Sequence, residues 1–400
     1  MSETPSLTVT LETVTPMFLG GADPRGAPEL RPPSFRGAMR YWLRALVGAA
    51  GEQAMRDHEG RLFGVGGDAS TAGAVSLRLS QSARPPSQSY TGLANGRAGT
   101  GYLWFAARRT RNEAERYAIM PTAFTLTLTA SRSNQLGRDL EQATAVLWLL
   151  TRLGGIGARS HRFAGGVQVS KVQSPHHADS LIVRLPVRAN SPQSLAQEIT
   201  EGIRAARRAF DMQNPVVPAP DQFDVLHPDR CRIFVLDRVF SSWKQAVEQI
   251  GQVYQRFRYL RRPDYTVVKQ AMISGQDLRG TVERAAFGLP IPFFYRSLGN
   301  RTGTLQAKQK DDTLDRRASP LWMRTVKLSN DQYAVVFTWF KSQFLPPNAE
   351  LLLTERNQPN LHGRQLPTDQ LISTFLQGSD KQNQSALKDV GYSLLEVDLK

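Results

Sequence analysis

The order of its periodic segments constrains this chain most. Residues 7–14 alternate and are β-branched, the pattern of a half-buried strand. A Gly- and Pro-rich loop follows, and Ser34 is placed to cap a helix whose apolar stripe is Phe35, Met39, Trp42 and Leu46. Strand-like runs come next at 74–79, 102–107 and 123–129. A second helix over 140–153 carries Ala143, Val146, Leu147, Leu150 and Leu153 on one face, and a strand resumes at 167–171. A second round begins with a strand at 232–236 and a helix at 243–260. It continues with strands at Ile291–Tyr295, Leu321–Lys327 and Tyr333–Phe340, a helix at 368–377 and a closing strand at 392–397.

Strand, helix, two strands, helix, strand is the split βαβ or ferredoxin-like order. The same sheet architecture underlies modules that bind single-stranded RNA. Short matches link the two rounds. Glu59-Gly60-Arg61-Leu62-Phe63-Gly64 precedes Ala69-Ser70 and a strand; Glu283-Arg284-Ala285-Ala286-Phe287-Gly288 precedes Ala318-Ser319-Pro320 and a strand. Their shared order predicts a duplicated fold with a longer excursion in the second copy. Between the rounds, residues 191–220 are rich in Pro, Gln, Ala and Asn around one basic helical segment. The expectation is an α+β protein of two tandem ferredoxin-like (RRM-like) domains, 1–185 and 229–400, with a linker at 186–228. A length of 400 residues, 40% of them hydrophobic, suits two cores.

Between the second helix and its following strand lies Gly154-Gly155-Ile156-Gly157-Ala158-Arg159-Ser160-His161-Arg162-Phe163-Ala164-Gly165-Gly166. Glycines let backbone approach a ligand closely. The amides at Gly155 and Gly157 and the side chains of Arg159, Ser160, His161 and Arg162 are donors that a phosphodiester backbone accepts. The loop lacks the Gly-Lys-Ser/Thr of a P-loop, and a helix precedes it where a dinucleotide motif needs a strand. Fifty Lys and Arg against thirty-five Asp and Glu leave a net charge of +15, which points to nucleic acid or an anionic membrane surface as partner.

The longest apolar runs fall far short of the roughly 20 residues that span a bilayer. The N-terminus lacks the basic start and apolar stretch of a secretory signal, so the expected compartment is the cytoplasm. A single cysteine, Cys231, excludes an internal disulfide framework and a cysteine-based zinc site, and its strand-like setting predicts a buried residue. No cofactor or metal is expected, and His176-His177 reads as a surface pair without companion ligands.

Arg36, Arg40 and Arg44 fall four apart on the first helix, and Arg25 and Arg31 precede them. Arginine without lysine suits planar, bidentate recognition of phosphate. Arg256, Arg258, Arg261 and Arg262 alternate with Tyr254, Phe257 and Tyr259, a mixture suited to stacking on single strands. Each feature also has a plain reading: a solvated helix face, rings buried in a core, a helix C-cap with surface arginines.

Together these motifs resemble the RAMP superfamily of CRISPR proteins and, within it, the first-numbered RAMP subunits of type III-B (Cmr) effector complexes. The likeness rests on Thr15-Pro16-Met17-Phe18-Leu19-Gly20-Gly21, on Leu30 to Trp42, on Leu62-Phe63-Gly64 and on Gly154 to Ser160. Phe287-Gly288-Leu289-Pro290-Ile291 and Arg316-Arg317-Ala318-Ser319-Pro320-Leu321 extend it. The loop ending Ser160 to Gly166 departs from the Arg-Arg-Gly-Phe-Gly type usual in the family. The resemblance implies a non-catalytic subunit near the guide 3′ end that binds guide and target RNA beside other RAMP subunits. Arg316 and Arg317 join the candidate RNA contacts on this ground. Two alternatives remain: an RNA endonuclease using Asp23 with a metal or His161 as general base, and a protein-docking end cap with incidental basicity.

Overall fold

Leu7, Val9 and Leu11 alternate with threonines along Ser6–Thr13, so one side of that strand is wholly buried and the other half-exposed. In the computed structural model it lies inside a sheet of four. The structure describes every residue except 1–3, 68, 69, 82, 133, 174–183, 213–218, 311 and 315, and the side chain of Arg262. His176 and His177 therefore lie outside the described residues. The chain forms two compact units: residues 1–252, 322–340 and 393–400 make the first, and 253–321 and 341–392 the second.

The first unit holds two four-stranded sheets. One runs Val75–Ser80, Ala123–Ala130, Ser6–Thr13, Val167–Gln173, with antiparallel neighbours throughout. The other runs Leu321–Lys327, Tyr333–Phe340, Cys231–Leu236, Leu394–Glu396. Each sheet thus places its strands in the spatial order second, third, first, fourth. Phe35, Met39, Trp42 and Leu46 of the helix Pro32–Val47, and Val146, Leu147 and Leu150 of the helix Leu136–Leu153, pack over the first sheet. Ile233, Val235, Trp322, Val326 and Phe340 of the second sheet join the same hydrophobic cluster. Cys231 is buried at the start of its strand.

Four sequence expectations change. The first helix begins at Pro32, not after Ser34, because Arg31 is its N-cap and prolines fit a first turn whose amides need no intrahelical partner. Residues 102–107 are not a strand; they belong to the helix Ala98–Leu103 and the 3₁₀ turn Phe105–Ala107. That helix lacks its own capping side chain. The Glu248 carboxylate takes its place, accepting from the Gly99 and Thr100 amides at 3.0 and 2.9 Å. The segment 186–228 is no linker, since it contains the helix Pro192–Ala209, opened by a capping box between Ser191 and Ser194. Leu195, Ile199 and Ile203 are fully buried there, and Gly202 is small because a Cβ would enter the Trp148 ring. Consequently the compact units do not divide at 185 and 229; Cys231–Leu236 belongs with the N-terminal half.

In the second unit Asp312–Leu314, Arg301–Gln309, Ala349–Glu355 and Leu361–Gly363 form a sheet, with Ile291–Tyr295 also paired to Arg301–Gln309. Val268, Met272, Phe293, Leu305, Leu351 and Leu353 are among its core. The two Phe-Gly pairs have matching geometry. Gly64, at φ +80°, abuts the Thr71 carbonyl and then the Gly73 amide, the latter 2.8 Å from where a Cβ would stand. Gly288, at φ +113°, likewise abuts a carbonyl, that of Arg317 at 2.9 Å, and the amide two residues on, that of Ser319 at 3.1 Å. Each lies against the segment that leads into the next strand of its round, through the bridges Val65–Thr71 and Leu289–Arg317. No helix among the described residues is long and apolar enough to cross a membrane.

Candidate nucleic-acid interface

The glycine loop is held from several sides by main-chain bonds. Ala158 donates its amide to the Phe18 carbonyl, Gly165 to Pro16, Ile156 to Gly165 and Phe163 to Met323, each at 2.9 Å. Thr15 closes the far end, its hydroxyl donating to the Phe163 carbonyl at 2.6 Å and accepting from the Gly166 amide at 2.9 Å. Gly157 sits at φ +86° with the Phe18 carbonyl 2.5 Å from a would-be Cβ, so only glycine fits. Arg159 and Phe163 are themselves left-handed, at φ 66° and 67°. Several of the loop's amides, those of Ile156, Ala158, Phe163 and Gly165 among them, are thus taken by the protein's own carbonyls, whereas the Gly155 and Gly157 amides make no such bond among the described residues. What the loop has instead is a fixed shape.

Both ends of the loop meet one side chain that the sequence reading missed. Arg324 projects from Leu321–Lys327 and is 3% exposed. Its guanidinium donates to the carbonyls of Gly154, Thr151 (2.6 Å) and Val167 (2.5 Å). The first two acceptors lie at the C-terminal end of a helix, where a cation is favoured. Burial, with Arg152 nearby, brings the Arg324 pKa down to about 9, so it remains charged at neutral pH. An arginine inside a strand that carries no other charge before its last residue, Leu-Trp-Met-Arg-Thr-Val-Lys, was the available signal. Trp322 beside it stacks on His161, ring centres 3.6 Å apart, and its indole N–H meets the Tyr41 hydroxyl at 3.2 Å. Tyr41 in turn donates to Asp224 at 2.7 Å, and burial first, then Asp224, pushes its pKa well above the usual phenol value.

The expected arginines separate into those with protein partners and those without. Arg25 pairs with Glu113 and donates to the Ala114 carbonyl at 2.8 Å. Arg40 donates to the Phe63 and Gly64 carbonyls at 2.6 Å each, tying its helix to the end of Glu52–Phe63. Arg44 grips Glu59 with two bonds of 2.6 Å, which raise its pKa. Arg159 donates to the Leu103 carbonyl at 2.8 Å, and Arg162 is buried. Arg258 lies over the Tyr254 and Phe287 rings, so that cluster is in good part packing, and Arg317 donates to the Phe344 carbonyl at 2.8 Å. The side chains of Arg31, Arg36 and Arg316 make no hydrogen bond or ion pair among the described residues. Arg31 and Arg316 are exposed; Arg36 is half-buried, with an Nε that meets no acceptor. Ser160 packs beside Gly155 at the loop's tight turn.

The residues weighed for cleavage chemistry stand apart. Asp23 is exposed and accepts from the Arg25 amide at 2.8 Å, the bond of an Asx turn. His161 lies with one ring face against Trp322. No group of three or more His, Cys, Asp or Glu poised to hold a metal occurs among the described residues.

A sequence model described as the RAMP superfamily matches residues 10–168. The chain is 26% identical over 344 residues to the CRISPR system Cmr subunit Cmr1-1 of Pyrococcus furiosus, covering 84% of this chain and 88% of that one. The crystal structure of Cmr1 from Pyrococcus furiosus in its apo form aligns with TM-score 0.57 at 20% identity, over 86% of this chain and 90% of that one. A chain from the cryo-EM structure of the Type III-B Cmr-beta bound to cognate target RNA aligns with TM-score 0.54 at 10% identity, over 85% and 96%. These two likenesses establish a shared fold. Residues 10–168 thus match the RAMP superfamily, and along most of its length the chain is similar in sequence to a Cmr1 subunit.

Proposed function

We propose that this chain is a non-catalytic, RNA-binding subunit of a type III-B CRISPR effector ribonucleoprotein. It stands at the guide 3′-end side of the filament, contacts guide and target RNA beside other RAMP subunits, and works in the cytoplasm in antiviral defence. The observation that carries the proposal is similarity to a Cmr subunit along 84% of a chain whose net charge is +15. Each four-stranded sheet of the first unit reads as one ferredoxin-like module, the second interrupted by the residues of the second unit.

Binding, not bond cleavage, is the mechanism. Arg31, Arg36 and Arg316 offer guanidinium groups with no partner among the described residues, and the glycine loop presents its flank in a fixed form. Sequence choice falls to guide–target pairing. Asp23 in its turn and His161 on Trp322 support a role without catalysis. Crosslinking of the assembled complex, loaded with guide and target RNA, tests this. Crosslinks from the chain to the 3′ portion of the guide and to target are expected, with weaker target capture when the subunit is omitted. Crosslinks to sister subunits alone would overturn it in favour of a docking cap.

A further inference from the structure

Between the second and third strands of the first sheet, the chain runs through Ala98–Leu103 and Phe105–Ala107 into an arginine-rich turn. Two arginines expected to hold RNA point at this segment instead. Arg159 donates Nε to the Leu103 carbonyl at 2.8 Å and lies 5.4 Å from the centre of the Phe105 ring. Arg25 donates to the Ala114 carbonyl at 2.8 Å and pairs with Glu113. From beneath, the buried Trp104 donates its indole N–H to the Arg162 carbonyl at 2.8 Å. The segment is therefore anchored to the glycine loop on one side and to the Arg25 loop on the other.

Anchoring leaves a ring and three cations on the outside. Phe105 is 37% exposed. Arg108, Arg109 and Arg111 are exposed, and none makes a side-chain hydrogen bond or ion pair among the described residues. The neighbouring acids are already engaged. Glu113 belongs to Arg25, while Glu115 accepts the Thr91 amide at 2.8 Å, and its hydrogen bonds to Thr91, with Arg109 nearby, hold its carboxyl below the usual range. A polyanion is the natural complement of arginines that form no ion pair beside a partly exposed ring.

We infer that Phe105, Arg108, Arg109 and Arg111 form a contact surface for single-stranded RNA. The guanidinium groups take phosphates and the ring takes a base, with Arg25 and Arg159 as the positioning residues behind them. This rests on the RNA-binding reading above and assigns it to a segment that reading left out.

The test is binding of a short labelled single-stranded RNA to the full chain across a salt series. Each single-strand phosphate contact contributes about 0.7 to the slope of log K against log salt. Alanine at all three arginines should therefore flatten that slope by about 2. Lysine at the same positions should restore most of it, and Phe105→Leu should weaken binding with the slope kept. Arg356→Ala with Arg364→Ala, exposed arginines of the second unit, should leave both quantities unchanged. A wild-type chain that binds steeply, with a triple-alanine variant of equal affinity and slope, overturns this inference and leaves the RNA-binding reading standing. A wild-type chain that holds no RNA at any salt overturns both.

Discussion

Replacing Arg324 with methionine removes a charge buried between the glycine loop and the second sheet's edge strand Leu321–Lys327, with little change in side-chain length. The loss is three bonds, to the carbonyls of Gly154, Thr151 and Val167. Hydrogen bonds from a charged donor contribute about 1.5–3 kcal/mol each. Against them stands the cost of keeping a guanidinium out of water, several kcal/mol with no carboxylate to offset it. The helix end supplies up to about 2 kcal/mol in return. Methionine ends the desolvation cost but strands three carbonyls, so a net loss of about 3 kcal/mol is expected, in line with removing one side of a buried polar pair. At about 2–4 °C per kcal/mol for a unit of this size, melting should fall by about 6–12 °C. Arg324→Lys should fall between, because one ammonium cannot span three acceptors. Hydrogen exchange should quicken at residues 154–166 before it does elsewhere in the first unit. A variant that melts with the wild type, or above it, would show that the carbonyl contacts do not outweigh desolvation and that the loop is held by its main-chain bonds alone.

Glu248→Gln should cost about 1–2 kcal/mol at neutral pH, since it weakens the bonds that cap Ala98–Leu103. Burial raises the Glu248 carboxyl, but hydrogen bonds from Thr100, Gly99 and Gln252 outweigh it and hold the group below its usual range. Stability from a depressed carboxylate is present above the unfolded pKa and lost as pH falls through the folded one. Urea titrations should therefore show the wild type weakening below about pH 4.3 and the Gln variant with a flatter acid limb. Gly99→Ala should destabilise by about 1–3 kcal/mol, because its Cβ would stand 2.6 Å from the Gln252 amide nitrogen; a silent substitution would contradict that close packing. Arg159→Ala should weaken RNA binding at low salt with little change of slope, since its guanidinium serves Leu103 and Phe105. A slope lowered by about 0.7 would instead mark it as a direct phosphate contact.

Strand and helix order was legible because alternation and helical stripes are local. Leu7, Val9 and Leu11, or Phe35, Met39 and Trp42, state their own faces. The helix Ala98–Leu103 was not legible, because the group that caps it is Glu248, far along the chain. The supposed linker carried a readable stripe, Leu195, Ile199 and Ile203, that its Gln- and Pro-rich surroundings obscured. Arginines were hardest. Composition shows that a guanidinium is present, but whether it meets a phosphate or a carbonyl depends on folded distances. Arg40 faces the Phe63 and Gly64 carbonyls and Arg25 faces Glu113, whereas Arg31 faces solvent. Arg324 was overlooked because its acceptors are main-chain atoms of another sheet's loop, which leave no mark in side-chain identity.

As proposed, this chain holds RNA without cutting it. The most direct measurement is binding of labelled single-stranded RNA to the purified chain over a salt series, with the length of the RNA read from the same samples. Intact RNA is expected, with an affinity that falls linearly in log K against log salt, as phosphate contacts by arginine require. RNA that is shortened, with shortening lost in Asp23→Ala or His161→Ala, would contradict it, as would an affinity indifferent to salt.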